Sequence, residues 1–394
     1  MTGWSWQPFS RMLPDRTDTL FLRACLDQGE RGLTAWNAWR RLASPDGDRR
    51  ALMAALAAHN TLLPLLYWQL ARNGVTLDRE LSTYLRSAHL TEGLRWDRYR
   101  EILATTLGVL IGANLRFIVL KGASVAEQYY PSPLQRHTDD IDLLLAERDL
   151  PQAAALFVER GWRAHRTRSF IARNHRHLPT LEHVSGVPLE LHRRIVRRFF
   201  TIDYDALWRG SVRTPVAGVD ARILSPSDTL LHVCLHAMAG RVSLRWIPDA
   251  VFVVTRHPGV DWPAFLDAVR AARAAAPVYA VLQYLAGPMA LPIPADVLAA
   301  TRDQAQAAGF IERRAVRPLP TGTAGEIWRS EGPPWARAAR ILQRAVPSPI
   351  SLAVQFDLPL WQIPIEYAHR VVRGARHLRG EQRRPPAQAS PRTR

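Results

Sequence analysis

The hydrophobic period of this chain changes twice, and that restricts what it can fold into. Up to about residue 115 apolar side chains recur at helical spacing. ALMAALAAHNTLLPLLYWQLARNG (51–74) has one on nearly every turn and breaks at Pro64 and Asn73-Gly74, and residues 77–114 read as one or two amphipathic helices. Helical spacing then fails. RFIVLKG (116–122), DIDLLL (140–145) and VPLELHRRIV (187–196) are short β-branched or alternating runs, and each predicts a strand. Between them ASVAEQYY (123–130) and DLPQAAALFVERGW (149–162) predict helices, the second stopped by Gly161, while 163–173 and 175–186 read as strand-like with loops. Residues 197–224 are poorly patterned. Helical spacing returns at SPSDTLLHVCLHAMAG (225–240), with Ser225 or Ser227 as N-cap, and continues through 244–257, 261–287 and 333–347. Strands alternating with helices inside helical flanks predict an α/β core of about 100 residues. The expected divisions are a helical region at 1–114, the α/β core at 115–205, a helical domain at 206–368 and a basic, largely disordered tail at 369–394.

With 394 residues, 47% hydrophobic and 22% charged, the chain is globular and long enough to bury a real core. Cys25 and Cys234 are its only cysteines, too few for a disulfide framework or a cysteine-based zinc knuckle. The first twenty residues lack the basic region and unbroken apolar run of a secretory signal. No stretch reaches about 18 apolar residues without a charge, so a cytoplasmic protein with no membrane span is expected. The formal net charge of +17 favours an anionic partner: nucleotide, nucleic acid or acidic membrane surface. Of the 52 basic residues 51 are arginine, leaving Lys121 as the only lysine. It stands directly before a glycine at the end of an apolar strand, which suggests a place for a compact ammonium on a slim stem and not for a forked guanidinium; a structural position is the alternative.

Asp140 and Asp142 stand two apart, so the period of a strand turns both to one face. Two like charges at that separation repel unless a divalent cation lies between them, which makes the pair a candidate magnesium clamp. Asp139 points to the other face if the strand already begins there; otherwise it caps a turn or holds a nearby arginine. Glu190 and His192 share one strand face in the same way, and a sheet could bring Glu190 beside the aspartates. Two aspartates and a glutamate would hold two Mg²⁺ ions, one carrying a triphosphate and one lowering the pKa of an attacking hydroxyl. His192 is read either as assisting the acceptor or as a packed histidine bonded to Glu190. Eighteen residues before Asp140, Gly122, Ala123 and Ser124 open a helix where backbone amides can approach phosphate, with Lys121 adding a point charge.

Other groups carry less. His175, His177, Glu182 and His183 match no standard zinc spacing. His232 and His236 lie four apart on one helix face and are read mainly as partly buried, hydrogen-bonded residues. Arg163, Arg166, Arg168, Arg173 and Arg176 flank the site and could neutralise phosphate, whereas Arg193, Arg194, Arg197 and Arg198 are as readily a solvated edge. Trp4, Trp36, Trp39 and Trp335 are read as packing helices together.

FIVLKGASVAEQYYPSPLQRHTDDIDLLL, followed by HLPTLEHVSGVPLELHRRI, resembles the bacterial family of uncharacterised nucleotidyltransferases, a branch of the DNA-polymerase-β-like nucleotidyltransferase superfamily. The likeness lies in Leu120-Lys121-Gly122, Arg136 ahead of Asp140 and Asp142, His177-Leu178-Pro179, and Glu190 with His192. It extends to Leu231, His232, His236, Arg245, Trp246 and Asp249, and covers approximately residues 50–300. The resemblance implies a polymerase-β-like α/β core with a mixed sheet, embedded between N- and C-terminal helical regions. It implies metal binding by Asp140, Asp142 and Glu190, and a nucleotide-phosphate element at Gly122 and Ser124, with Lys121, Arg136 and His177 on the nucleotide side.

The function expected is Mg²⁺- or Mn²⁺-dependent transfer of a nucleoside monophosphate from an NTP to a hydroxyl or phosphate of a small molecule or peptide, releasing pyrophosphate. The alternative is a basic, non-catalytic scaffold of the same fold that binds nucleotide or nucleic acid. An RNA-modifying terminal transferase would join both features, but no RNA-binding module with the expected aromatics is visible. Nucleic acid is thus the less favoured partner, and the sequence sets no oligomeric state.

Overall fold

A computed structural model of the chain describes residues 13–164, 176–197, 199–237, 244–256, 259–309, 333–347, 349, 352 and 360–378. Residues 165–173 of the strand-like stretch expected over 163–173, together with Trp4, His175, Arg198, Gly240 and the tail beyond residue 378, lie outside the described residues, and with them Arg166, Arg168 and Arg173. Two compact units result, Met1–Pro318 and Leu319–Arg394.

In the first unit, helices α1 (Arg16–Leu26), α2 (Gly29–Ala43), α3 (Arg49–Ala58), α4 (Leu63–Arg72) and α5 (Arg79–Gly112) precede the first strand. Aspartates start three of them by accepting backbone N–H bonds: Asp15 from Asp18, Asp48 from Arg50 and Asp78 from Leu81. The segment that reads as one or two helices is a single 34-residue helix, α5. Trp36 and Trp39 are buried and stacked on each other between these helices.

The sheet follows: β1 (Phe117–Val119), α6 (Lys121–Tyr129), β2 (Ile141–Leu145), α7 (Leu150–Glu159), β3 (Arg163–Ala164), β4 (Leu181–Glu182) and β5 (Pro188–His192). After the short helix α8 (Tyr204–Gly210) come β6 (Val212–Val216) and β7 (Val219–Ile223), so the sheet continues into the poorly patterned stretch. Alternation there is blurred because β6 is an edge strand with exposed residues and a proline, Pro215. Its turn is Ala217-Gly218, with φ of 53° and 80°, so Ala217 fills a left-handed position where a sequence reader looks for Asn or Gly.

The seven strands run in the order β3-β4-β5-β2-β1-β7-β6. Central β2 pairs antiparallel with β1 and parallel with β5. That mixture separates the two faces cleanly. Ile141, Leu143, Leu145, Leu189 and Leu191 join Trp96, Leu103, Leu107 and Leu110 of α5 and Phe157 of α7 in one hydrophobic cluster. Ile118 and Leu144 point the other way, into a cluster shared with α1–α4 and with the helices that follow the sheet. Those are α9 (Pro226–Ala237), α10 (Trp246–Thr255), α11 (Trp262–Ala271), α12 (Ala275–Ala286) and α13 (Ala295–Ala307). Ser225 caps α9 by accepting from the Asp228 amide at 3.1 Å. An α/β sheet with helical regions before and after it is therefore the architecture of this unit.

The second unit contains α14 (Pro334–Ala345) and α15 (Ile363–Leu378). Trp335 is 75% exposed there, contrary to its reading as a packed residue. Among the described residues no single helix is long and apolar enough to cross a membrane. The bent pair Arg49–Ala58 and Asn60–Arg72 passes on length and composition, but Leu52, Leu56, Leu65, Leu66 and Leu70 of that pair are core residues.

One buried ion pair fixes how the sheet meets α10. Arg136, in the loop before β2, donates from Nε and Nη2 to the two carboxylate oxygens of Asp249, each at 2.8 Å, and Tyr130 Oη donates to the same carboxylate at 2.8 Å. Asp249→Ala is expected to cost about 3–5 kcal/mol, because it strands a buried guanidinium, whereas Tyr130→Phe should cost only about 1 kcal/mol. Urea unfolding of the two variants checks both.

Candidate functional site

The register of β2 and β5 puts Asp142 directly opposite Glu190, with His192 one step along opposite Leu144. Asp142, Glu190 and His192 share the sheet face that carries Leu144, toward the helices after the sheet. One ligand atom from each lies within 4.8 Å of the others. His192 Nε2 stands 2.7 Å from Asp142 Oδ1 and 3.2 Å from Glu190 Oε2, while Nδ1 faces the Arg194 carbonyl oxygen at 3.3 Å. Both ring nitrogens face acceptors, which a protonated ring satisfies, while the Lys121 charge opposes that protonation. Burial disfavours that charge, but the two carboxylates outweigh it and raise the His192 pKa.

Lys121 Nζ donates to the same Asp142 Oδ1 at 3.0 Å. Burial alone would push the Asp142 carboxyl up; the Lys121 charge and the His192 hydrogen bond instead hold it well below its usual range. Asp140 bears the remainder of the repulsion. Chiefly through the Asp142 charge, then through burial, its carboxyl is pushed up to about 6. The sequence treats the two aspartates as equals sharing a cation, whereas the fold makes one a stabilised anion and the other a reluctant one.

Asp140 leaves the tight group and lines a cavity of about 310 Å³ in front of it. Lys121, Gly122 and Ser124 form one wall, Arg176 another, and α9 and α10 close it with His232, His236, Arg245 and Trp246. Asp142, Glu190 and His192 stand outside this lining. Gly122 is needed at the wall because a β-carbon there would meet Thr138 Cγ2 at 2.8 Å. Ser124 Oγ closes the first turn of α6 on the Lys121 carbonyl at 2.9 Å.

The other candidate residues take the following places. Arg136 lines the cavity, but its charge is committed to Asp249 and its Nη1 to Thr138 Oγ1 at 3.1 Å, so it anchors the loop. His177 is bridged to His192 across the sheet, with Nε2 3.6 Å from Glu190, on the carboxylate side and not among the cavity residues. His192 is fully buried behind the carboxylates. His183 bonds Ser185 Oγ at 2.8 Å and packs on Trp162, with no metal group around it among the described residues. Arg193 reaches Glu147 at 3.0 Å.

Sequence reasoning missed the partners that hold the loop. Tyr99 of α5 donates to the Asp140 carbonyl at 3.0 Å, Glu92 of α5 meets His137 at 2.7 Å, and Arg245 binds Asp139 at 2.8 Å and the His137 carbonyl at 3.2 Å. The arginine read for Asp139 is thus Arg245. No periodic signal marks the others, since each joins residues more than 40 positions apart.

The centre fits a divalent cation on one direct observation: Asp142 Oδ2 is buried and has no hydrogen-bond partner. An oxygen donor left bare beside a second carboxylate is a set that suits Mg²⁺ or Mn²⁺. Fold and site together define an α/β protein with a carboxylate–histidine centre beside a cavity lined by both basic and acidic side chains. The chain belongs to the family described as uncharacterised nucleotidyltransferases, whose model matches residues 47–289, more than half its length. That span runs from just before α3 to just after α12 and includes every residue of the centre and cavity. No curated protein and no solved structure matches the chain.

Two outcomes follow from the charges. Asp142→Asn should lower the melting temperature, since Lys121 and His192 lose their anion, while Asp140→Asn should hold or raise it. His137 supplies the pH dependence. Burial disfavours its charge, but Asp139 and Glu92 prevail and raise its pKa. Its contribution is therefore complete below the unfolded value of about 6.5 and is lost as pH rises through the higher folded value. His137→Asn should cost about 1–2 kcal/mol at about pH 5.5 and much less at about pH 9, read by urea unfolding at both.

Proposed function

We propose that the protein is a nucleotidyltransferase of the polymerase-β-like type that uses Mg²⁺ or Mn²⁺, takes an NTP as co-substrate and acts in the cytoplasm. It transfers a nucleoside monophosphate to a hydroxyl or phosphate of a small molecule or peptide. The acceptor oxygen forms a bond to the α-phosphorus, the bond from that phosphorus to the bridging oxygen breaks, pyrophosphate leaves, and the acceptor proton passes to water. The observation that carries this reading is the pairing of Asp142 with Glu190 in register, one oxygen of Asp142 bare, beside a cavity whose lining brings Lys121 and Arg176 together with Asp140.

Asp142, Glu190 and Asp140 would hold the divalent cation. When bound, it would offset triphosphate charge and acidify the attacking hydroxyl. The remaining work falls to side chains. His192 and His177 keep Glu190 and Asp142 in register. Gly122 and Ser124 open the α6 N-terminus to phosphate oxygens, with Arg176 beside them. Arg136 serves indirectly, by holding the loop that carries Asp140 against Asp249.

The test is incubation of the protein with each α-labelled NTP, Mg²⁺ or Mn²⁺ and a cell lysate, followed by locating the label. Label transfer with pyrophosphate release is expected, and Asp142→Asn should reduce both to background. Nucleotide binding without pyrophosphate release under any of these conditions would instead favour the non-catalytic scaffold to which the +17 charge points.

A further inference from the structure

The chain's only lysine is bonded to the most buried carboxylate of the centre. The Lys121 side chain is 16% exposed against 1% for Asp142, and its ammonium takes Oδ1 while Oδ2 stays bare. Lys121 also lines the cavity, so its ammonium lies between a fixed anion and any anion that enters. Its backbone has little freedom. The Leu120 amide is tied to the Asp142 carbonyl at 2.9 Å, Ser124 Oγ holds the Lys121 carbonyl, and the residue keeps a left-handed φ of 33°, a strained value for a side chain with a β-carbon. Only the four-carbon stem can carry the charge from one anion to the other.

We propose that Lys121 makes cation loading conditional on nucleotide: it holds Asp142 and opposes a lone divalent cation in the nucleotide-free protein, and turns to the polyphosphate when a metal–nucleotide complex enters. This rests on the nucleotidyltransferase reading above. Repulsion between a dication at the carboxylates and an ammonium 3.0 Å from Asp142 Oδ1 is screened poorly at a buried site. A triphosphate supplies a competing anion and converts that opposition into attraction. The same geometry accounts for a lysine where arginine fills every other basic position. A guanidinium fork binds a carboxylate through both oxygens and would cover the bare Oδ2, whereas an ammonium is a point charge that takes one oxygen and can let go.

The test is Mn²⁺ binding to the full chain, read by electron paramagnetic resonance of free Mn²⁺, with and without a non-hydrolysable NTP analogue. Lys121→Met should bind Mn²⁺ alone about tenfold more tightly than wild type, and the analogue should strengthen its Mn²⁺ binding less than it does in wild type. Lys121→Arg should bind Mn²⁺ more weakly than wild type in both conditions. Lys121→Gln, which can still hydrogen-bond Asp142, carries the same expectation as Met and answers the question if Met disturbs folding. Wild-type Mn²⁺ binding that is unchanged or weakened in the Met and Gln variants would overturn the role of Lys121 and leave the nucleotidyltransferase reading standing. Absence of Mn²⁺ binding in every variant, with and without analogue, would overturn both.

Discussion

A carboxylate with 1% side-chain exposure has to be neutralised where it stands, and much of the first unit is arranged around doing so for Asp142. Lys121 reaches it from the end of β1 and His192 from β5, so the two strands flanking β2 each supply a cation. Neither covers Oδ2. The charge is balanced but the coordination is unfinished, and the repulsion left over falls on Asp140, at the edge of the cavity.

The second constraint is mechanical. Asp140 sits on a loop between α6 and β2, and two helices hold it. Arg136 and Asp249 tie it to α10, Arg245 clamps Asp139 just ahead of α10, and Tyr99 and Glu92 grip it from α5. Arginine suits the first of these positions because its fork meets both oxygens of Asp249 at once. The helices on either side of the sheet are thus parts of the site's support as well as its cover.

Much of this could be read from the chain. The two-residue period at Glu190-Leu191-His192 foretold which side chains share a face, and the change from helical to strand spacing located β1, β2 and β5, but β2 begins at Ile141, so the parity read for Asp140 and Asp142 does not apply to Asp140. Less visible were features whose cause is tertiary. The β6–β7 hairpin was obscured by Pro215 and by Ala217 in a glycine-like conformation. The pairing of Arg136 with Asp249 spans 113 positions, and nothing local distinguishes a guanidinium bound for phosphate from one bound for a buried aspartate. The sharing of one Asp142 oxygen by Lys121 and His192 was hidden for the same reason: sequence parity gives a face, not the distances across it.

The 34-residue α5, about 51 Å long at 1.5 Å per residue, contributes Leu81 and Leu85 to one hydrophobic cluster and Trp96 through Leu110 to the other. A helix that belongs to both cores leaves no seam at which the sheet could be excised. A fragment begun at β1 would expose Ile141, Leu143 and Leu145 where that helix should lie, so a shortened version of this α/β region would aggregate sooner than fold. The same bond would keep the α/β region from being transplanted alone into another gene: the helices ahead of the strands have to travel with it.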